Sequence, residues 1–310
     1  MIADLVARLR QGDRNALARL LSLAARGELP HGALTQPRSA HGALTQPRSP
    51  TRVVAFTGSG GVGKSTLIGK LIPLVRAQGH KIAVLACDPQ SPLSGGALLG
   101  DRFRMGSTTD DGIFIRSLAA ISGHGGLADH LDTMIRLLEV FGFDVIFLET
   151  VGAGQGDVEV RKHADIVALL LQPESGDDVQ WEKAGILECA DIVIVHKSDL
   201  PTAEQTAAQV RAALDLSPAR NIQVVRVSTK ANQGHAELWQ AIESSPLRRG
   251  SASASQELLR SAIDRLQEWF RKHQDDAAIV QVAEAWRNGE KSIDQSIIEM
   301  LQSFASEPEA

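Results

Sequence analysis

The chain has 310 residues, 43% of them hydrophobic and 22% charged, a composition typical of a globular protein with one large domain or two. Its formal net charge of −5 gives no electrostatic reason to expect nucleic acid or an anionic membrane as a partner. Two cysteines cannot build a disulfide framework or a four-ligand zinc site, and without an apolar run of roughly 18 residues or the apolar core of a signal peptide we expect a cytoplasmic protein.

Residues 1–50 predict two short amphipathic helices followed by a linker. Apolar side chains recur at helical spacing on both sides of a break at Gln11, Gly12 and Asp13. Residues 31–39 then recur unchanged as residues 41–49, a repeat too short and too few in number for a solenoid. Lengthening a loop costs little entropy, so we interpret this proline-containing duplication as a linker.

A glycine-rich stretch follows the first strongly apolar run, residues 53–56, and precedes a segment with helical spacing. It fits the pattern G-x-x-x-x-G-K-[ST] through Gly58, Ser59, Gly60, Gly61, Val62, Gly63, Lys64, Ser65 and Thr66. A polyphosphate needs close approach by several backbone N–H groups, which glycine permits because it has no Cβ. The lysine would reach the β- and γ-phosphates, and the serine hydroxyl would bind Mg²⁺. The stretch therefore predicts a nucleoside triphosphate site rather than an ordinary glycine-rich turn.

Short β-rich runs alternate with helical segments from Arg52 onwards, which predicts an α/β fold with a doubly wound, mostly parallel sheet. The predicted strands are 52–57, 81–87, 112–117, 144–149, 165–171, 191–196 and 222–228. The predicted helices of this region are 64–79, 126–141, 156–163, 178–189, 202–215 and 235–244. Ligands of such sheets collect at the carboxyl ends of the strands, and each polar motif considered below follows a predicted strand.

The composition changes after Pro246. Residues 248–255 are rich in Arg, Ser and Gly and predict a linker, and three helices are predicted at 256–272, 276–288 and 292–305. Helices this short are not stable alone, so they pack on the main domain or on another subunit. We therefore expect N-terminal helices and a linker over 1–50, a nucleotide domain over 51–247 and a C-terminal helical segment over 248–310.

Acidic residues lie where a P-loop protein would hold a metal. Asp88 leaves the second predicted strand, and Asp101 lies in a glycine-rich charged loop with the flexibility of a switch segment. Instead of binding metal, Asp88 could cap a turn, and Asp101 could be an ordinary surface carboxylate. Glu149 ends an apolar strand, where a carboxylate is costly unless it is paired or bound to metal. Nucleotide hydrolases place a Mg²⁺-linked acid here, followed by a glycine that senses the γ-phosphate, in this sequence Gly152.

The sixth predicted strand ends in His196, Lys197, Ser198 and Asp199, where GTPases carry Asn-Lys-x-Asp. The aspartate of that motif accepts hydrogen bonds from the guanine N1–H and N2 amine, which adenine cannot offer. The last strand is followed by Ser228, Thr229 and Lys230, which fit the loop whose backbone contacts the guanine carbonyl. These features favour guanine over adenine, although histidine in place of asparagine could lower the affinity or relax the selectivity.

Together these motifs resemble the MeaB/ArgK family, the bacterial relatives of the human MMAA protein. These are P-loop GTPases that act as chaperones of adenosylcobalamin-dependent acyl-CoA mutases. The resemblance covers nearly the whole chain and rests on residues 57–66, 87–91, 95–105, 149–155 and 176–183. The chain departs from the family at His196, in the duplicated linker and in its complete lack of tyrosine.

The resemblance implies a role for each matching residue. Phosphates and Mg²⁺ would be bound by Lys64, Ser65 and Thr66, with an acidic metal shell of Asp88, Asp101 and Glu149. Lys197 and Asp199 would read the base, and Asp177 and Lys183 would be switch elements. The catalytic residues implied by the resemblance are Lys64, Asp101, Glu149 and Lys183.

The resemblance also implies ligands and partners: GTP or GDP with Mg²⁺, a homodimer held partly by the C-terminal helices, and an acyl-CoA mutase. In the complex with that mutase, GTP hydrolysis would gate cofactor loading and protect the enzyme from inactivation. No arginine finger can be named from the sequence. We therefore expect slow intrinsic turnover that increases when a partner orders the switches and supplies charge stabilisation.

Three alternatives stay open at this point. A nickel-inserting GTPase would usually show His-rich tracts or closely spaced Cys and His ligands, whereas Cys87 and Cys189 are isolated here. An ATP-using kinase, an activity once assigned to ArgK-like proteins, is opposed by Asp199. The third alternative is a module that binds nucleotide without hydrolysing it. Substitution of Lys64 would then abolish nucleotide binding without changing turnover, because such a module has no turnover to lose.

Overall fold

The structure, a computed structural model, describes residues 2–30, 33–34, 50–89, 110–120, 130–151, 160–173, 186–215, 222–249 and 254–306. The chain divides into two compact units, Met1–Gly250 and Ser251–Ala310. Within the described residues, none of the helices is long and apolar enough to cross a bilayer.

The first unit is built on a seven-stranded sheet in the order β3-β2-β4-β1-β5-β6-β7. Every pairing is parallel, so the predicted mostly parallel sheet is entirely parallel. The strands are β1 (Arg52–Thr57), β2 (Ile82–Pro89), β3 (Ile113–Ala120), β4 (Val145–Glu149), β5 (Ile166–Leu171), β6 (Ile192–His196) and β7 (Gln223–Val227). All seven predicted strands are present, with bounds that differ by at most three residues.

Among the described residues, the helices of the first unit are α1 (Ile2–Arg10), α2 (Arg14–Ala25), α3 (Lys64–Ala77), α4 (Leu131–Phe141), α5 (Ile186–Cys189), α6 (Ala203–Asp215) and α7 (His235–Ser244). The break between α1 and α2 is capped by Asp13, whose carboxylate accepts from the backbone N–H groups of Asn15 and Ala16. The predicted helix at 156–163 is instead a 3₁₀ turn at Val160–Lys162 in its described part. Residues 126–129, 156–159 and 178–185 of the predicted helices lie outside the described residues.

Alternate residues of the central strands bury opposite faces, which is the period of two expected for a strand. Val53 and Ala55 of β1 belong to the core layer that contains α1, α2 and α4. Val54 and Phe56 belong to the other layer, with α3 and α7. Because helices cover both faces, the central strands are buried at every residue except Arg52, as is usual for parallel sheets. The α/β, doubly wound fold is thus confirmed.

The second unit contains α8 (Ala254–His273), α9 (Ala277–Arg287) and α10 (Ile293–Ser306), which confirms three helices after residue 250. Trp269 of α8 is 9% exposed, stacks on His273 and packs edge-on against Phe304 of α10. Ile279 and Val282 of α9 are also buried. The functional division into 1–50, 51–247 and 248–310 stays a prediction.

A buried carboxylate anchors the end of the first unit. Asp165 is 2% exposed and lies just before β5, where it accepts from the N–H of Val53 at 2.9 Å. It also accepts from the N–H groups of Arg248 and Arg249 at 3.0 and 2.7 Å. Arg248 in turn pairs with Asp191 at 2.5 Å. Residues 248–249 are therefore fixed to the sheet, although their composition predicted a linker.

We predict that Asp165→Ala lowers the free energy of unfolding by about 2–4 kcal/mol, because it leaves buried backbone donors without an acceptor. Urea unfolding followed by circular dichroism measures this change. Asp111→Ala is the matched control, because the Asp111 side chain is fully exposed and lies 3.7 Å from its partner Arg14, so it should change stability by less than about 0.5 kcal/mol. Equal effects of the two substitutions would contradict the prediction.

Candidate nucleotide-binding site

The sequence motifs meet at one edge of the sheet. Because all strands are parallel, the carboxyl ends of β1, β4, β6 and β7 face the same side, and β1 lies between β4 and β5. The glycine-rich loop follows β1 and runs directly into α3. This position is the crevice in which open α/β sheets bind ligands.

The glycine-rich loop is held at both ends by close neighbours. Gly58 has φ +139°, and a Cβ there would lie 2.4 Å from the carbonyl oxygen of Leu170 in β5. Gly63 has φ +104°, and a Cβ there would lie 2.5 Å from the ring of His196. From the sequence, these glycines are explained by the close approach of phosphate to the backbone. In the structure, a side chain at either position would also overlap a residue of β5 or β6.

The loop leads directly into the N-terminus of α3. Gly63 is the N-cap of α3 and provides no side-chain cap, so the first N–H groups of the helix and its positive dipole end lie at the loop. Lys64 is 6% exposed, and its Nζ donates to the carbonyl oxygens of Gly58 and Ser59 at 2.7 and 3.1 Å. The lysine charge is thereby held inside the curve of the loop.

A serine and a carboxylate form a pair of oxygen ligands beside the loop. Ser65 Oγ donates to Glu149 Oε1 at 2.6 Å, and both side chains are buried. Mg²⁺ prefers oxygen ligands and is usually held by one or two protein groups with phosphate and water, so this pair fits the metal. Strand β2 extends through Pro89, which places Asp88 two residues beyond Ala86, the register partner of Glu149.

Strands β1 and β4 are also joined at their ends. Thr150 Oγ1 donates to Thr57 Oγ1 at 3.1 Å, and the N–H of Thr150 donates to the carbonyl of Phe56 at 3.2 Å. Both threonines are fully buried or nearly so. The residue that follows Glu149 is therefore fixed to the residue that precedes the P-loop, a connection that the sequence motifs did not indicate.

Residues after β6 and β7 form a second cluster. Ser228 Oγ donates to Asp199 Oδ1 at 2.5 Å and accepts from the N–H of Ala231 at 3.0 Å. The hydrogen bond from Ser228 holds the pKa of Asp199 below its usual value, so this carboxylate is an acceptor at neutral pH. The two motifs predicted to read the base are thus in direct contact.

The loop after β7 has a defined shape. Ser228 and Gln233 exchange two backbone hydrogen bonds of 3.0 Å, which close the loop over residues 228–233. Gly234 follows with φ +79°, and a Cβ there would lie 2.1 Å from the carbonyl oxygen of Arg226. Thr229 and Lys230 lie inside this closed loop, which we call the base loop.

Lys197 has φ +54°, a conformation uncommon for a non-glycine residue, and its Nζ donates to Gln172 Oε1 at 2.6 Å. Gln172 was missed at the level of sequence. Its position directly after β5 is a signal that could have identified it, because the motifs after β1, β4, β6 and β7 lie at the same edge of the sheet. The long stem of Lys197 is therefore directed along the carboxyl edge of the sheet.

Four of the predicted residues lie outside the described part of the chain: Asp101, Gly152, Asp177 and Lys183. Asp88 is described only by its place in β2. The structure brings together the P-loop, Glu149, His196, Lys197, Asp199 and the base loop.

A P-loop at the carboxyl edge of a parallel sheet, beside a contact between Asp199 and the loop after the last strand, defines a P-loop nucleotide-binding protein. The sequence pattern of the family described as "Methylmalonyl Co-A mutase-associated GTPase MeaB" matches residues 17–287. The chain therefore belongs to the MeaB family and is a GTPase. This confirms the resemblance found in the motifs.

Curated relatives agree with this assignment. A putative GTPase of Pyrococcus abyssi is 42% identical over 250 residues, which cover 78% of this chain and 75% of the relative. The GTPase ArgK of Escherichia coli is 37% identical over 201 residues, 64% of this chain and 60% of the relative. The mouse mitochondrial protein named methylmalonic aciduria type A homolog is 38% identical over 194 residues, 60% of this chain and 47% of the relative.

A solved structure described as LAO/AO transport system kinase superposes with a TM-score of 0.60 and 23% identity over 98% of both chains. At this identity the likeness concerns the fold alone. It supports the arrangement of sheet and helices described above.

We predict that Gly58→Ala lowers the free energy of unfolding by at least about 2 kcal/mol, because its φ is unfavourable for alanine and its Cβ would overlap Leu170. Gly60→Ala is the matched control in the same loop, since it has no left-handed φ and no atom within 4 Å of its Cβ. It should change stability by no more than about 0.5 kcal/mol. Unfolding in urea without nucleotide measures both, and a tolerated Gly58→Ala would disprove the role assigned to Leu170.

Proposed function

We propose that this GTPase is a chaperone of an adenosylcobalamin-dependent acyl-CoA mutase, in which GTP hydrolysis gates cofactor loading and protects the enzyme from inactivation. The observation that carries the GTP part is the contact of Asp199 with Ser228 beside the P-loop. The mutase part is supported by the family, whose description names an association with methylmalonyl-CoA mutase. Methylmalonyl-CoA mutase or a relative such as 2-hydroxyisobutyryl-CoA mutase is the proposed partner.

Base recognition would depend on Asp199 and the base loop. The Asp199 carboxylate is ionised, exposed and held by Ser228, so it can accept from the N1–H and N2 amine of guanine. Thr229 and Lys230 would present backbone groups to the guanine carbonyl, while Lys197 packs along the base. Adenine offers no matching pair of donors, and the relatives named above are GTPases, so an ATP-using kinase is not favoured.

Phosphate binding would use the backbone of residues 58–66 together with Lys64. The Lys64 ammonium already contacts two loop carbonyls, and phosphate oxygens would compete for the same three donors. Ser65 and Glu149 would hold Mg²⁺, and we assign Asp88 and Asp101 to the same acidic shell. When bound, Mg²⁺ neutralises charge on the β- and γ-phosphates. Gly152 would sense the γ-phosphate, with Asp177 and Lys183 as switch elements.

Turnover without a partner should be slow, because the sequence offers no identifiable arginine finger and such a residue contributes about 10³–10⁵-fold. The proposed mutase would order the switch residues and complete the charge stabilisation. A nickel-insertion role has no supporting observation in the described residues.

We predict that a cognate mutase raises the rate of GTP hydrolysis by at least about tenfold, by supplying the transition-state stabilisation that the isolated protein lacks. Phosphate release is measured with the protein alone and with equimolar methylmalonyl-, isobutyryl-, ethylmalonyl- or 2-hydroxyisobutyryl-CoA mutase. Lys64→Ala should remove turnover in all mixtures. Lys70→Ala is the control in the same helix, outside the predicted site, and should behave as wild type. A rate unchanged by every mutase would contradict the chaperone proposal.

We also propose that the protein is a homodimer held partly by the C-terminal helices. All exposed large hydrophobic side chains of the described residues lie in the second unit: Leu259, Ile263, Val280, Trp286, Ile293, Ile297, Ile298 and Leu301. Ile293, Ile297 and Leu301 are spaced four residues apart and so lie on one face of α10. An apolar face of this kind is typical of a subunit interface.

We predict that the double substitution Ile297→Glu and Leu301→Glu shifts the protein from dimer to monomer, since two charges would be buried in an apolar interface. Sedimentation velocity at micromolar concentration measures the mass. Gln302→Glu, also exposed on α10, is the matched charge control and should stay dimeric. A wild-type monomer at all concentrations would rule out the dimer.

A further inference from the structure

His196 connects the two halves of the nucleotide site. Its Nδ1 lies 2.7 Å from the carbonyl oxygen of Val62 in the P-loop, and its Nε2 lies 2.8 Å from Thr229 Oγ1 in the base loop. The ring is 3% exposed and packs against the Gly63 backbone, where a Cβ would lie 2.5 Å away. A single buried side chain thus contacts both the phosphate-binding loop and the base loop.

The partners of the ring determine its tautomer. A carbonyl oxygen can only accept, so Nδ1 carries the hydrogen and donates to Val62. In the neutral ring Nε2 is then an acceptor, and the Thr229 hydroxyl donates to it. Burial lowers the pKa of His196 below its usual value, which favours this neutral form. The imidazole therefore presents one donor and one acceptor, in fixed directions.

An asparagine side chain has the same pair of functions in one group. Its amide N–H₂ could donate to the Val62 carbonyl and its amide oxygen could accept from the Thr229 hydroxyl. The histidine thus provides the hydrogen-bonding pattern of a carboxamide with a longer reach. The replacement of asparagine by histidine therefore need not weaken nucleotide binding.

We propose that His196 is a positioning residue that holds the P-loop and the base loop in the geometry that binds guanine nucleotides. The inference rests on the nucleotide site proposed above and assigns a further residue to it.

The contact with Val62 orients a phosphate-binding donor. No cis peptide occurs in the described residues, and in a planar trans peptide the C=O and the following N–H point in opposite directions. Fixing the Val62 carbonyl toward His196 therefore directs the Gly63 N–H away from the ring. Gly63 immediately precedes the first turn of α3, whose N–H groups we assigned to the phosphates. His196 thus acts on phosphate binding through the loop backbone.

The same contacts exclude a direct role in reading the base. Both ring nitrogens are engaged by protein atoms, and the buried ring leaves no polar atom for a ligand. The effect of His196 should therefore be the same for any purine that the site accepts. Asp199, whose carboxylate is exposed, should instead discriminate between bases.

The test compares the affinities of fluorescent GDP and IDP, since inosine lacks the N2 amine that Asp199 would bind. His196→Ala should weaken both nucleotides by about tenfold or more, by the same factor. His196→Asn should restore both to within about threefold of wild type. Thr229→Val should weaken both like His196→Ala, and the double variant with His196→Ala should be no weaker than the worse single variant, as expected for groups that act through one contact.

Controls separate positioning from folding and from base recognition. His163→Ala removes a histidine that precedes β5 and pairs with Asp132 of α4, outside the contacts that join the P-loop to the base loop, and should leave both affinities unchanged. Asp199→Ala should weaken GDP more than IDP. Melting temperatures measured without nucleotide identify any variant that fails to fold. If His196→Ala does not fold, His196→Asn still tests the proposal.

Three results would overturn the inference while leaving the nucleotide site intact. One is a His196→Ala protein that binds GDP and IDP within twofold of wild type. The second is a His196→Asn protein that is as weak as His196→Ala. The third is a loss of affinity confined to GDP, which would assign histidine a different contact. A wild-type protein that binds neither nucleotide would instead refute the underlying site.

Discussion

The site depends on the close approach of the P-loop backbone to its two neighbours. Gly58 lies against the backbone of Leu170 and Gly63 lies against the ring of His196, so the loop is confined at both ends. A loop that binds polyphosphate has to keep several N–H groups directed at one point without their usual partners, and flexible backbone would cost binding energy to order. Confinement by packed neighbours provides that order before a ligand arrives.

At the amino edge of the sheet, buried carboxylates hold the backbone in place. Asp165 binds backbone donors of β1 and of residues 248–249, while Asp191 binds Arg161 and Arg248. Buried carboxylates are costly unless fully paired, and here the pairing joins the strand that carries the P-loop to the end of the first unit. The amino edge therefore contributes stability, and the carboxyl edge carries the proposed nucleotide site.

Much of this arrangement could be predicted because local patterns determine it. The seven strands are apolar runs bounded by polar residues, and the loop before α3 has all fixed positions of the P-loop pattern. The position of Gln172 at a strand end could be read from the sequence, but its contact with Lys197 could not, because that contact depends on β5 lying beside β6. The anchoring of Arg248 and Arg249 was missed for a similar reason, since their partners Asp165 and Asp191 are distant in the chain.

The sequence by itself determined the class of the protein: an α/β fold, a P-loop, guanine as the preferred base and membership in the MeaB family, which the family pattern over residues 17–287 confirms. Only the tertiary structure decided which groups His196 contacts. A one-residue departure from a motif is ambiguous in sequence, because the effect of a side chain depends on which donors and acceptors surround it. Here the surroundings are the Val62 carbonyl and the Thr229 hydroxyl, contributed by loops that only the parallel sheet brings together.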